Sequence, residues 1–230
     1  MEDVMFVLEL IGAAAFAVSG AMVAIEKKAD IFGVLFLAVT TALGGGVIRD
    51  VLIGRIPPVM FVSYWYLLIS VVAALAVFID AYLRSEKYKL HLDKLDAVNN
   101  VFDAIGLAVF TVSGMNAAMP VSDNVILVLF VGMCTGVGGG MLRDVMTNTM
   151  PKVLRKRVYA VASLIGGGLY YVMHVLDINQ LLSVGCGMLV IFALRLFATI
   201  YKWNLPSVML DFVSVIFRVL FGRGGITVVF

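Results

Sequence analysis

Charge is scarce in this sequence. Asp, Glu, Lys and Arg make up 14% of it, against roughly a quarter in a soluble globular domain, so a solvated polar surface cannot be covered. Cysteine is scarcer still: Cys134 and Cys186 both fall inside apolar runs. That excludes a disulfide framework or a cysteine metal site and leaves each as a small apolar residue. Neither histidine, His91 or His174, has an obvious partner. No metal-spaced His/Cys/carboxylate cluster, phosphate loop or aspartyl-phosphorylation segment is present. We therefore expect no enzyme activity, no cofactor, no bound metal, no nucleic-acid partner and no primary pumping.

What fills the chain is apolar. Hydrophobic residues reach 62% and the mean hydropathy is +1.06. The apolar runs are about 20 residues long, the length that crosses a bilayer as a helix, and they lack the alternation of barrel strands. The expected fold is an all-α integral membrane protein with seven spans, near 4–25, 31–53, 60–83, 98–119, 123–146, 158–176 and 180–201. The first run follows an acidic start, Met1-Glu2-Asp3, and continues to Ile25 before Lys27-Lys28. It reads as a retained span rather than a cleaved signal.

Placement of the basic residues gives an orientation. Lys27 and Lys28, then Arg84, Lys87, Lys89 and Lys94, then Lys152, Arg155, Lys156 and Arg157 follow spans one, three and five. The opposite loops carry Arg55 and little else. The expected topology has the N-terminus outside and the C-terminus in the cytoplasm of an inner-membrane protein. Lys152, Arg155, Lys156 and Arg157 report topology first and anionic-lipid contact second.

The chain repeats itself. Shifted by 94 positions, 19 of the 47 residues from 11 to 57 fall on identical residues, among them Ser19-Gly20, Gly44-Gly45-Gly46, Arg49-Asp50 and Pro57. The third span of each half matches only in hydrophobicity. Three spans per unit is an odd number, so the second unit enters the membrane from the other side, an inverted repeat. The expected units are residues 1–93, 94–177, a seventh helix over 178–206, and an interfacial or poorly ordered tail over 207–230.

The repeated stretch carries the candidate site. Gly44, Gly45 and Gly46, and again Gly138, Gly139 and Gly140, lie within spans two and five. They read either as a helix break whose freed carbonyls line a path or as a close-packing surface. Arg49-Asp50 and Arg143-Asp144 follow them and put charge at membrane depth. Those pairs read as structural ion pairs or as the mouths and gates of a pathway, in which arginine must be neutralised before cations pass. Ser19, Thr40, Thr41, Ser113, Asn116 and Thr135 suit either bonds to the preceding turn or the lining of a narrow aqueous route. Glu9 and Asp103 superpose and read as helix-start acids or ion-attracting groups. Tyr64, Trp65 and Tyr66 read as an interfacial belt.

Two units ending in Gly-Gly-Gly-x-x-Arg-Asp-Val, a proline shortly after, and a seventh span closing in Leu194-Arg195 and Trp203-Asn204-Leu205-Pro206 resemble the bacterial branch of the trimeric intracellular cation (TRIC) channels. Sequences of that branch have also been labelled glycine transporters. The resemblance reaches to about Pro206. It implies a homotrimer with a water-filled pore in each protomer, passing K⁺ and Na⁺ between the inverted repeats and past spans two and five. It also sets Arg143-Asp144-Val145 beside a Lys-Glu-Val motif that animal members associate with lipid and pore. The alternative function is a secondary transporter of a small zwitterion such as glycine.

Overall fold

Inside a bilayer every backbone amide must find its partner within the chain, so apolar runs of this length fold as helices. The structure, a computed structural model, describes residues 2–83, 92–155, 158–201 and 203. Among these, α1 (Glu2–Glu26), α2 (Ile31–Leu52), α3 (Val59–Val62) and α4 (Tyr64–Leu83) form the first unit. The second holds α5 (Leu92–Ala118), α6 (Val125–Met146), α7 (Lys152–Arg155) and α8 (Val158–Val175), and α9 (Gln180–Ile200) follows. Six helices are long and apolar enough to span, and Tyr159–Val175 within α8 is a shorter apolar helix. Expectations for Arg84, Lys87, Lys89, Lys156, Arg157 and the tail after Pro206 fall outside the described residues.

The repeat is visible in how the helices end. Asp30 accepts from the Gly33 amide at 2.8 Å, and its equivalent Asn124 accepts from Ile126 at 2.9 Å, so both second helices start on a side-chain cap. Both stop on a left-handed residue: Gly54 at φ 73° and its equivalent Asn148 at φ 51°. The expected third span, 60–83, is divided. Pro58 starts the single turn α3, Ser63 is extended, and α4 begins at Tyr64.

Within each unit the first helix packs on the second and third. The units meet through like pairs, α1 on α5 and α2 on α6, while α9 lies against α8 and α5. Without hydrophobic drive between helices in lipid, close approach of small residues supplies the packing. The α8–α9 crossing uses Gly166 and Gly187: a Cβ on Gly166 would sit 2.9 Å from the Gly187 carbonyl oxygen.

The glycine triplets correct one expectation. Both α2 and α6 run unbroken through them as α-helix. A Cβ on Gly45 would collide with the Thr135 carbonyl, and one on Gly139 with the Thr41 carbonyl. The two helices cross backbone to backbone there. Absence of side chains is used for proximity, and each helix keeps its own hydrogen-bond ladder.

Candidate functional site

An arginine within a span needs partners inside the protein, because leaving it unpaired in hydrocarbon is costly. Arg49, at the end of α2, is 4% exposed. Its Nε donates to Asp50 Oδ1 at 2.8 Å, and its Nη1 donates to Glu9 Oε1 at 2.9 Å and to Ser113 Oγ at 3.0 Å. Ser113, from the other unit, donates to the same Glu9 oxygen, and Tyr66 donates to Glu9 Oε2. The second oxygen of Asp50 accepts from the Val59 amide at 2.8 Å, which fixes the start of α3.

The second copy repeats this plan. Arg143 is 0% exposed. It donates through Nε and Nη2 to Asp144 Oδ1, at 2.9 and 2.8 Å, and through Nη1 to Asp103 Oδ1 at 2.8 Å. The same Nη1 donates to Ser19 Oγ, and the Ser19 hydroxyl donates to Asn99 Oδ1 at 2.6 Å. Asp144 Oδ2 accepts from the Lys152 amide at 2.8 Å and fixes the start of α7. Each arginine thus faces two carboxylates and one serine, and the serine always comes from the opposite repeat. A bidentate or branched guanidinium suits this better than an ammonium, which lacks the planar fork.

The two networks differ in where the serine donates, Glu9 for Ser113 and Asn99 for Ser19, and at one carboxylate oxygen. Where Glu9 Oε2 receives Tyr66, Asp103 Oδ2 receives Arg195 Nη2 from α9 at 3.3 Å. The Arg195 guanidinium also stands 4.3 Å from the centre of the Tyr159 ring, a cation–π contact. A cavity opens beside the first network, between Glu9, Gly46, Arg49, Met60, Tyr66 and Phe110.

The remaining expected residues lie as follows. Gly46 borders the first network's cavity, and Gly140 comes within reach of Asp103 and Arg143 in the second. Thr41 and Thr135 are fully buried and donate to the carbonyls one turn back, Leu37 and Val131, at 2.6 Å each. Thr40 is half-buried apart from both networks. Asn116 accepts from Tyr170 at 3.3 Å and Gln180 at 3.4 Å, joining α5 to α8 and α9. Lys152 turns its ammonium inward to Asn100 Oδ1 at 3.2 Å. Burial beside Arg143 and Arg195 outweighs the pull of Asp103 and pushes its pKa from 10.5 down to about 8.

Sequence reasoning missed Tyr66, Tyr159, Asn99 and Arg195 as network members. Tyr66 was expected in the interfacial belt with Tyr64 and Trp65; those two are exposed, whereas Tyr66 is buried at 5%. The third spans do match beyond hydrophobicity. The loop after the second helix is one residue shorter in the second unit, so an offset of 93 places Pro58 on Pro151, Tyr66 on Tyr159 and Ser70 on Ser163.

Known proteins share this fold. The glycine transporter family profile matches residues 6–81 and, separately, residues 100–175. The inner membrane protein YadS of Escherichia coli is 35% identical over 211 residues, covering 89% of this chain and 96% of its own. A membrane protein of Deinococcus radiodurans is 38% identical over 168 residues, 72% of this chain and 74% of that one. A crystal structure of a prokaryotic TRIC channel in 0.5 M KCl superposes with a TM-score of 0.81 at 35% identity, covering 89% of this chain and 100% of that one. The TRIC orthologue of Rhodobacter sphaeroides superposes at 0.78 with 28% identity over 87% and 99% of the two chains. With a profile spanning both repeats and relatives above 30% identity along most of its length, this multi-span membrane protein belongs to the TRIC family, which also carries the glycine transporter description.

Proposed function

We propose that the chain is a passive channel for monovalent cations, K⁺ and Na⁺, with a pathway in each protomer between the inverted repeats. One observation carries this reading: each of the repeated membrane-depth arginines, Arg49 and Arg143, is bonded to two carboxylates. A bare guanidinium would repel cations at contact range, whereas a neutralised one can hold the wall of a cation path or act as its gate. The solved relatives, TRIC cation channels, support the same reading. The α2–α6 crossing at Gly45 and Gly139, four residues before each arginine, is the proposed constriction. Arg49-Asp50 and Arg143-Asp144 are the proposed gates, Glu9 the ion-attracting acid, and Ser19, Thr40, Thr41, Ser113, Asn116 and Thr135 the proposed lining.

The orientation, N-terminus outside and C-terminus cytoplasmic, rests on the basic residues after spans one, three and five. A homotrimer is proposed from the trimeric relative. Lipid contact is proposed for Arg155, Lys156 and Arg157, whereas Lys152 turns inward to Asn100.

Purified protein in a planar bilayer tests the function. Discrete unitary currents with a reversal potential set by K⁺ and Na⁺ are expected. The glycine transporter description favours a second reading, coupled transport of a small zwitterion. Saturable, gradient-driven glycine uptake into proteoliposomes, with no unitary currents at any voltage from either face, would replace the channel by that reading.

A further inference from the structure

We infer that Arg195, on the helix outside the repeat, sets the charge of the second network and thereby makes the two ends of the conduction path electrostatically unlike. Cation selection is left to the Glu9 end. This rests on the cation-channel reading above and adds to it a selectivity-determining residue that lies outside both repeated motifs.

The argument is a comparison of equivalent groups. In the first network one guanidinium, Arg49, stands against two carboxylates, Glu9 and Asp50. In the second, two guanidiniums, Arg143 and Arg195, stand against Asp103 and Asp144. The Lys152 ammonium, on Asn100, adds a further cation to the second side. The first network therefore carries a surplus negative charge and the second does not. Solvent access runs the same way: the Glu9 side chain is 14% exposed beside an open cavity, whereas Asp103 is 0% exposed.

The surroundings of Arg195 show that it occupies a place the repeat provides for a tyrosine hydroxyl. Tyr66 bonds Glu9 in the first unit. Its counterpart Tyr159 is as deeply buried, and its hydroxyl lies close to Asp103, since one added Cβ on Gly140 would come within 2.9 Å of the hydroxyl and 3.4 Å of Asp103 Oδ1. The Tyr159 hydroxyl makes no bond of the kind that Tyr66 makes to Glu9, and Arg195 Nε is likewise without a partner. Arg195 takes the Asp103 oxygen equivalent to the one that Tyr66 takes on Glu9. The ring then serves Arg195 from below through its π face.

An uncompensated charge in a poorly hydrated wall acts on passing ions far more strongly than one in water. The surplus carboxylate at the Glu9 end concentrates cations and excludes chloride, while the second end, where Arg195 and Lys152 more than offset the carboxylates, does neither. Current through such a path rectifies under symmetric salt.

The test is planar-bilayer recording of full-length wild type, R195Q, R195K and E9Q under a KCl gradient and in symmetric KCl. R195Q leaves two carboxylates facing one guanidinium, as in the first network. It should raise the K⁺ over Cl⁻ permeability ratio about threefold or more and reduce rectification. R195K keeps the charge and should keep the wild-type ratio. E9Q, which keeps the shape of Glu9 and one acceptor oxygen for Arg49 and Ser113, should lower the ratio about threefold or more. A folded R195Q with wild-type ratio and rectification would overturn the inference and leave the channel standing. If R195Q does not fold, an unchanged ratio in E9Q overturns it instead. Absence of unitary currents in the wild type itself would remove the channel reading and this inference with it.

Discussion

Phe16 and Phe110 stack face to face, with ring centroids 5.4 Å apart and planes 11° from parallel. They are equivalent residues of the two units, and a residue that touches its own equivalent lies on the axis relating them. Contacts around that axis are exchanged in pairs. Arg49 bonds Ser113 while Arg143 bonds Ser19, and the Gly45 approach to Thr135 is answered by Gly139 on Thr41. Each arginine takes its two carboxylates from its own repeat and its serine from the other, so each network is closed across the axis.

Because the crossing is reciprocal, G45A and G139A should cost alike. Each added methyl meets a backbone carbonyl, which cannot rotate away, so a loss of about 1–3 kcal/mol is expected for each. G168A and G185A are the controls, since a Cβ at either meets nothing within 4 Å. There the helix gains about 0.5–1 kcal/mol from alanine in place of glycine. Thermal unfolding in detergent reads all four. A melting temperature for G45A at or above wild type would show that the crossing is looser than described.

Much of this was legible in the chain because the repeat conserves chemistry as well as hydropathy. Arg49 and Arg143, with Ser19, Ser113, Glu9 and Asp103, all superpose at the same offset, and the structure gathers them into the same two networks. Three features were not legible. A run of glycines permits either unwinding or close approach, and only the facing Thr41 and Thr135 carbonyls decide between them. Tyr66 sits next to Tyr64 and Trp65, so position alone puts it in the belt; helix rotation turns it inward. Arg195 lies outside the repeat, where no second copy exists to mark its importance beyond the family signature.

The two tyrosines give an unequal pair of predictions from one substitution. Y66F removes a hydroxyl that donates to the Glu9 carboxylate, a charge-assisted bond worth about 1.5–3 kcal/mol. Y159F removes a buried hydroxyl that makes no such bond, while the ring under Arg195 stays. Its unfolding temperature should equal or exceed that of wild type, because an unsatisfied buried group is deleted. The comparison is made by thermal unfolding of both variants in one detergent. Equal losses in the two would mean that Tyr159 bonds Asp103 as Tyr66 bonds Glu9, and that the asymmetry between the networks is smaller than the geometry states.

Lys152 supplies the pH dependence. Its pKa in the folded protein is about 8, below the ordinary 10.5, because burial beside Arg143 and Arg195 disfavours the ammonium more than Asp103 favours it. The unfolded chain therefore holds more protons than the folded one between about pH 8 and pH 10.5, and stability rises with pH across that window. Below pH 8 both states carry the proton and the contribution is flat. Melting temperatures at pH 7, 8, 9 and 10 should climb in wild type from pH 8 upward, apart from any slope shared by all variants. K152M cannot titrate, so the climb should flatten relative to wild type, with the largest gain over wild type at pH 7. The same substitution keeps the Lys152 amide that caps Asp144, so α7 retains its anchor and the variant isolates the ammonium. Parallel curves for wild type and K152M would place the ammonium in solvent or among lipid headgroups, where the basic cluster after span five was first expected to lie.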